Sequence, residues 1–127
     1  MRFETPPFAA PPIDSYGPGG FRVGGVWHDG PLFLRGESVS SWTPPESGPF
    51  TVEMFAPVLE GDREAEILLL GLGDEMRHIP WTLNKALLDR GIGLEAAPTP
   101  AACRTYNVLL GQGRDIAAAL VPVTAEQ

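Results

Sequence analysis

The sequence predicts an α/β domain in which helices pack against a mixed β-sheet, with an antiparallel β-meander preceding a βαβαβ-like C-terminal half. Three observations carry that prediction. Residues 67–70 and 117–121 are short, unbroken apolar runs, the pattern of strands buried on both faces. Strand, helix and strand patterns succeed one another within about thirty residues, the length of a parallel crossover unit with a right-handed turn. Gly and Pro supply 15 and 14 of the 127 residues, too much punctuation for a helical bundle.

The elements follow in order. Residues 1–12 hold Pro6, Pro7, Pro11 and Pro12, which lack amide donors and restrict their predecessors, so they read as an extended or disordered lead-in. From Ile13 to Leu34, short β-type runs alternate with glycine: Phe21-Arg22-Val23, Gly24-Gly25, Val26-Trp27-His28. Asp29-Gly30 then has the composition of a two-residue hairpin, with Pro31-Leu32-Phe33-Leu34 as the returning strand. Residues 36–50 read as a connecting loop in which the indole of Trp42 plugs the edge of the core. Val52, Phe55 and Leu59 have helical spacing, but Pro57 interrupts them, so a short or broken helix is expected over 51–59.

The second half is more regular. Glu66-Ile67-Leu68-Leu69-Leu70 reads as a central strand stopped by Gly71-Leu72-Gly73. A helix fits residues 80–90, with Pro80 at its first position, Leu83 and Leu87 inward and Gly91 as its stop. Ile92, Leu94 and Ala96 alternate as a strand. Thr99-Pro100 reads as an N-cap and first-position proline opening a helix to about Leu110, closed by Gly111-Gln112-Gly113. Residues 114–123 form a last buried strand. A single domain over residues 13–123 and a tail over 124–127 complete the layout, consistent with one core for a chain of this length.

Composition bounds the function. Sixteen acidic against nine basic residues give a net charge of −7, which argues against nucleic acid or an anionic membrane as the main partner. The single cysteine, Cys103, has no internal disulfide partner and no zinc-type cluster surrounds it, so a reducing compartment is expected. No apolar run has the length of a signal peptide near the N-terminus or of a membrane span elsewhere, and the expected location is cytoplasmic. No cofactor or metal is expected.

In an open α/β sheet, ligands bind beyond the carboxyl ends of the strands. That rule selects Gly71-Leu72-Gly73-Asp74 and Ala97-Pro98-Thr99, which parallel pairing places at one sheet edge, facing each other. Helix N-termini near Pro80 and Pro100 would offer amides to a small anion, reinforced by Arg104. Against this, Met76 stands where a dinucleotide fingerprint needs its third glycine, there is no phosphate-loop lysine, Asp74 and Glu75 repel anions, and such glycines commonly serve packing. Cys103, Tyr106, Asn107 and Leu110 have the spacing of one inward helical stripe. A buried Asn107 amide needs partners, or costs ~1–3 kcal/mol; it either ties the helix to loop backbone or faces a ligand, and the tie is the simpler role. Tyr106 anchors a pocket or packs at a core edge with a wet hydroxyl. Cys103, in the first helical turn beside Arg104, is the one candidate nucleophile, although a cysteine on an apolar stripe ordinarily acts as a small hydrophobe. His28, His78 and the carboxylates of Asp62, Glu64, Glu66, Asp74 and Glu75 complete no catalytic spacing.

Several segments resemble a known family: Ile13-Asp14-Ser15-Tyr16-Gly17, the Gly24-Gly25 hairpin, the strand and loop ending at Gly71 and Gly73, Arg90-Gly91-Ile92, and above all Ala101-Ala102-Cys103-Arg104-Thr105-Tyr106-Asn107-Val108-Leu109-Leu110. The chain from about Ile13 to Leu120 is similar to a small family of uncharacterised proteins with bacterial and archaeal single-domain members, the mitochondrial complex I assembly factor 3 and an adipogenesis-associated mammalian protein. The resemblance implies a single three-layer domain with a central mixed sheet. For function it implies an assembly or interaction role more than an activity. One departure is Leu72, where the family often carries threonine; the missing hydroxyl weakens the case for a polar ligand between Gly71 and Gly73.

Two functions are carried forward. The first is a non-catalytic protein-interaction or assembly-factor domain, meeting a partner such as a respiratory-complex subunit through exposed apolar residues, with Trp27, Phe33 and Trp81 as candidates. The second is a domain binding a small anionic ligand, or a weak enzyme, using Gly71, Gly73, Thr99, Arg104, Tyr106 and Asn107.

Overall fold

The computed structural model describes residues 10–46, 49–60 and 64–124. Residues 1–9 of the expected lead-in and 125–127 of the tail lie outside them, as does Asp62. Strands β1 (Ile13–Gly17), β2 (Gly20–Val23) and β3 (Val26–Asp29) form a three-stranded antiparallel sheet in that order. Gly24 and Gly25 make the β2–β3 turn with φ of +54° and +83°, left-handed at both positions as a two-residue hairpin requires.

Asp29-Gly30 does not make the hairpin expected of it. Gly30 instead carries the chain out of this sheet, and β4 (Leu32–Arg35) pairs antiparallel with β8 (Ile116–Val121) and with β5 (Ser38–Ser41) in a second, five-stranded sheet. The cause lies in the strand's own composition. Leu32, Phe33 and Leu34 are all buried, so the strand needs cover on both faces, which a place beside the exposed β3 cannot supply. The loop expected over 36–50 likewise contains a strand, β5, whose Ser-Val-Ser-Ser composition carries little β signal; it forms because Gly36-Glu37 turns the chain back onto β4 as an edge.

The order of the five-stranded sheet is β5-β4-β8-β6-β7, with β6 (Ile67–Leu72) parallel to both β7 (Gly93–Ala97) and β8. Strands β6 and β8 are the central pair, and their apolar runs serve two cores by alternation. Leu68, Leu70, Leu72, Ala117 and Ala119 face one side; Leu69, Ile116, Ala118 and Leu120 face the other. On the first side lie a 3-10 turn (Val52–Phe55), the short α1 (Ala56–Leu59) and α2 (Trp81–Asp89). Pro57 sits in the first turn of α1, where its missing N–H costs no helical bond. Trp42 is buried there, stacked on Phe33 at 5.0 Å between centroids, and its indole N–H donates to Leu120 O at 3.2 Å.

The opposite side holds α3 (Thr99–Gly111) together with the three-stranded sheet, whose Ile13, Phe21 and Val23 join Ala102, Cys103 and Tyr106 in one core. The architecture is therefore three layers about a mixed sheet. At the end of the sheet away from the crevice, the Arg35 guanidinium pairs with Asp115 at 3.0 Å and donates to the carbonyls of Val58 and Leu59. The Asp115 amide donates to Glu66 there. Pro80 precedes α2 rather than opening it, a shift of one position from the expected boundary.

Candidate functional site

The parallel register sets Gly71 of β6 beside Ala97 of β7 and Leu120 of β8, so the two selected loops do share one edge. Thr99 sits between them, fully buried. It is the first residue of α3 rather than its cap. Its hydroxyl accepts from the Gly73 amide at 2.8 Å and donates to Val121 O, while its own amide donates to Gly73 O at 2.9 Å. One side chain thus fastens β6, α3 and β8 together and occupies both polar groups of Gly73.

Each glycine has a distinct reason. A Cβ on Gly71 would lie 2.8 Å from Leu120, 3.1 Å from the Thr99 hydroxyl and 3.3 Å from Ala102, so the missing side chain lets α3 settle onto the sheet. Gly73 has φ of +82°, which turns the chain out of β6. Asp74 next receives the amide of Thr124 at 3.1 Å and the Thr124 hydroxyl, drawing the segment after β8 to the same edge.

Along α3, Asn107 lies at the exposed rim rather than on the inward stripe, yet both ends of its amide are engaged: Ile13 N–H donates to Oδ1 at 2.9 Å and Nδ2 donates to Ile13 O at 2.8 Å. The side chain imitates a neighbouring strand and ties α3 to β1. Cys103 is buried, and burial pushes its thiol from 9.0 up to about 12, with Arg104 offsetting only part of the effect. The charge and helix position that would activate this thiol are thus overridden by desolvation. Tyr106 is also buried, its hydroxyl pushed up to about 12 by desolvation. Arg104 is exposed and has no hydrogen bond or ion pair among the described residues.

The remaining polar candidates fall elsewhere. His28 is on β3, His78 in the loop before α2 and Cys103 on α3, and no hydrogen bond among the described residues joins them. Glu64 pairs with Arg90, and Glu66 with Arg114 and the Asp115 amide. Among the described residues no group of His, Cys, Asp and Glu could hold a metal ion, and no helix is long and apolar enough to cross a membrane. Of the apolar candidates, Trp81 is 65% exposed and Trp27 40%, whereas Phe33 is buried in the Trp42 stack and is no surface residue. Sequence reasoning missed an open cleft of about 190 Å³ between the 3-10 turn and α2, lined by Thr51, Val52, Glu53, Thr82, Leu83 and Ala86. Its walls lie about thirty residues apart in sequence, and no local pattern marks them.

A mixed five-stranded sheet, a three-stranded antiparallel sheet sharing a core with α3, and a sheet edge fastened by Thr99 define a small three-layer α/β domain of the kind described as Mth938-like. The chain belongs to the family described as "Protein of unknown function (DUF498/DUF598)", whose model matches residues 13–121. It is 40% identical over 97% of its length to an uncharacterized protein of Rhodobacter capsulatus, covering 94% of that protein. It is 36% identical over 87% of its length to the bovine NADH dehydrogenase [ubiquinone] 1 alpha subcomplex assembly factor 3, and spans 60% of that relative's length. Among solved structures, a Bordetella parapertussis protein superposes with a TM-score of 0.79 at 31% identity, over 90% of this chain and 97% of that one. The Mth938-like domain itself, from Bordetella pertussis, superposes with a TM-score of 0.69 at 26% identity, over 96% and 92% of the two chains.

Proposed function

We propose that this protein is a non-catalytic interaction domain of the assembly-factor type, acting in the cytoplasm on another protein, with a respiratory-complex subunit as the partner class its mitochondrial relative suggests. The observation that carries the reading is on α2. Trp81 and Leu88, seven residues apart on one helical face, are 65% and 55% exposed, a large apolar investment that the fold itself does not use. Similarity to complex I assembly factor 3 over most of the chain supports the same direction. Affinity capture from native lysate, repeated with Trp27→Ala and Trp81→Ala, tests it. A partner released by either substitution supports the reading, and the absence of any partner counts against it.

A second reading, a small-anion site or weak enzyme at the sheet edge, rests on Arg104, the cation of α3 that has no partner among the described residues. Gly71, Gly73, Thr99, Tyr106 and Asn107 are the other residues of this reading, although Thr99 and Tyr106 are buried and Thr99, Gly73 and Asn107 already hold other partners. Its measure is thermal stability in metabolite mixtures, since a ligand at a hundred times its Kd adds about 2.7 kcal/mol. Shifts that survive Arg104→Ala would remove Arg104 from the site.

A further inference from the structure

Resting on the interaction reading, we propose that the cleft between the 3-10 turn and α2 receives an amphipathic helical segment of another protein, an aliphatic side chain entering the cleft and flanking Lys or Arg side chains meeting Glu53. The cleft of about 190 Å³ has a floor of Leu83, Val52 and Ala86 and a polar rim of Thr51, Glu53 and Thr82. That is more than a single bridging water needs and is the space of an aliphatic side chain. Recognition of a helix by a groove uses such an apolar slot with charges at its margin.

Charge decides the partner's sign. The cations of α2 and its C-terminus are already held: Lys85 by Asp89 at 3.1 Å and Arg90 by Glu64 at 2.6 Å. Arg77 lies 4.7 Å over the Phe50 ring and donates to Pro45 O. The carboxylates of Glu53, on the cleft, and Glu75, in the loop leading to α2, have no partner among the described residues. Arg77 keeps its charge through both contacts and stands in the same loop as Glu75, so the charge on the cleft itself is that of Glu53, which, within a chain of net charge −7, selects a basic partner. The other exposed tryptophan is less available. Trp27 lies over Gly20, where a Cβ would fall 2.7 Å from the indole, and its N–H donates to Asp29 at 2.9 Å. The Trp81 indole makes no hydrogen bond among the described residues and stands in solvent on α2, outside the lining of the cleft.

The test uses two designed peptides of about 14 residues, long enough for marginal helicity, with Leu at i, i+3, i+4 and i+7 and either Lys or Glu elsewhere. Binding is read as the fluorescence anisotropy of each dye-labelled peptide titrated with the full-length protein. The Lys peptide is expected to shift its anisotropy saturably and the Glu peptide to show no change. Glu53→Lys and Ala86→Glu should each weaken binding about tenfold, Glu53→Gln less, and Glu37→Lys, on the β4–β5 turn, by no more than about twofold. Glu53→Gln retains the shape of the side chain and stands in if a charge reversal disturbs folding. No saturable shift, equal binding of both peptides, or equal losses for Glu53→Lys and Glu37→Lys would overturn the proposal. If a captured partner is nevertheless released by Trp27→Ala, the interaction reading survives on β3; if no partner is captured either, both fail.

Discussion

The carboxyl edge of the parallel strands and the outer face of α2 are opposites in how their side chains are used. At the edge, Thr99, Gly73, Val121, Asp74 and Thr124 satisfy one another, and Asn107 is consumed by Ile13. On α2, Trp81 and Leu88 stand in solvent, and the open cleft between that helix and the 3-10 turn carries a glutamate with no partner among the described residues. Topology alone selects the first region, because strand ends and helix N-termini converge there. Side-chain accounting selects the second. The difference teaches that convergence of elements provides a place for a ligand only while its polar groups remain unspent.

The largest expected effect probes the closed side. With its thiol pushed up to about 12, Cys103 should react with iodoacetamide at pH 8 about a thousandfold more slowly than a free thiol, and at the free rate once unfolded. Rapid labelling of the native protein would break the contrast. The same burial has a pH signature. Because the folded thiol and the Tyr106 hydroxyl titrate above their unfolded values of 9.0 and 10.0, the unfolded state loses protons first, and stability should fall as pH rises from about 9 toward 12. Denaturation midpoints across that range check it, and Cys103→Ala should flatten the earlier part of the fall.

Next in size, Asp115→Ala leaves Arg35 half-enclosed without its carboxylate and should cost about 3 kcal/mol in a urea titration. Thr99→Val keeps the volume but orphans Gly73 N–H and Val121 C=O, for about 1–3 kcal/mol, with Thr99→Ser recovering most of the loss. A Thr99→Val protein of unchanged stability would show the edge to be looser than its geometry. Smallest of all, Trp81→Ala should alter stability by no more than about 0.5 kcal/mol while releasing the partner, which sharpens the comparison by separating folding from binding.

Much of the fold was legible because local signals and tertiary demands agree in the second half. The runs at 67–70 and 117–121 are the central strands, Leu83 and Leu87 are the inward residues of α2, and Gly91, with φ of +77°, ends it. The misreadings fall where an element's role depends on a distant partner. Asp29-Gly30 has hairpin composition, but β4 is claimed by β8, more than eighty residues later. Ser38–Ser41 becomes a strand only because β4 offers it an edge. Within the candidate site, the shared edge of the two loops followed from parallel pairing alone. The fate of each polar group did not: Asn107 pairs with Ile13 across 94 positions, and no periodicity announces such a contact. Phe33 was misplaced on the surface for the same reason, since its cover comes from Trp42 in an irregular segment.

The position of β8 also has a consequence for how the chain reaches its native state. Strand β8, which follows every other strand of the sheet in sequence, lies between β4 and β6, in the middle of the five-stranded sheet. Until residues 116–121 leave the ribosome, β4 and β6 have a gap where their shared neighbour belongs, and the backbone edges of both that face it stay unpaired. Completion of this sheet must therefore wait for residues 116–121, through contacts of long sequence separation that close slowly. A chain halted before residue 116 would lack its central strand and present two open edges to aggregation or to chaperones.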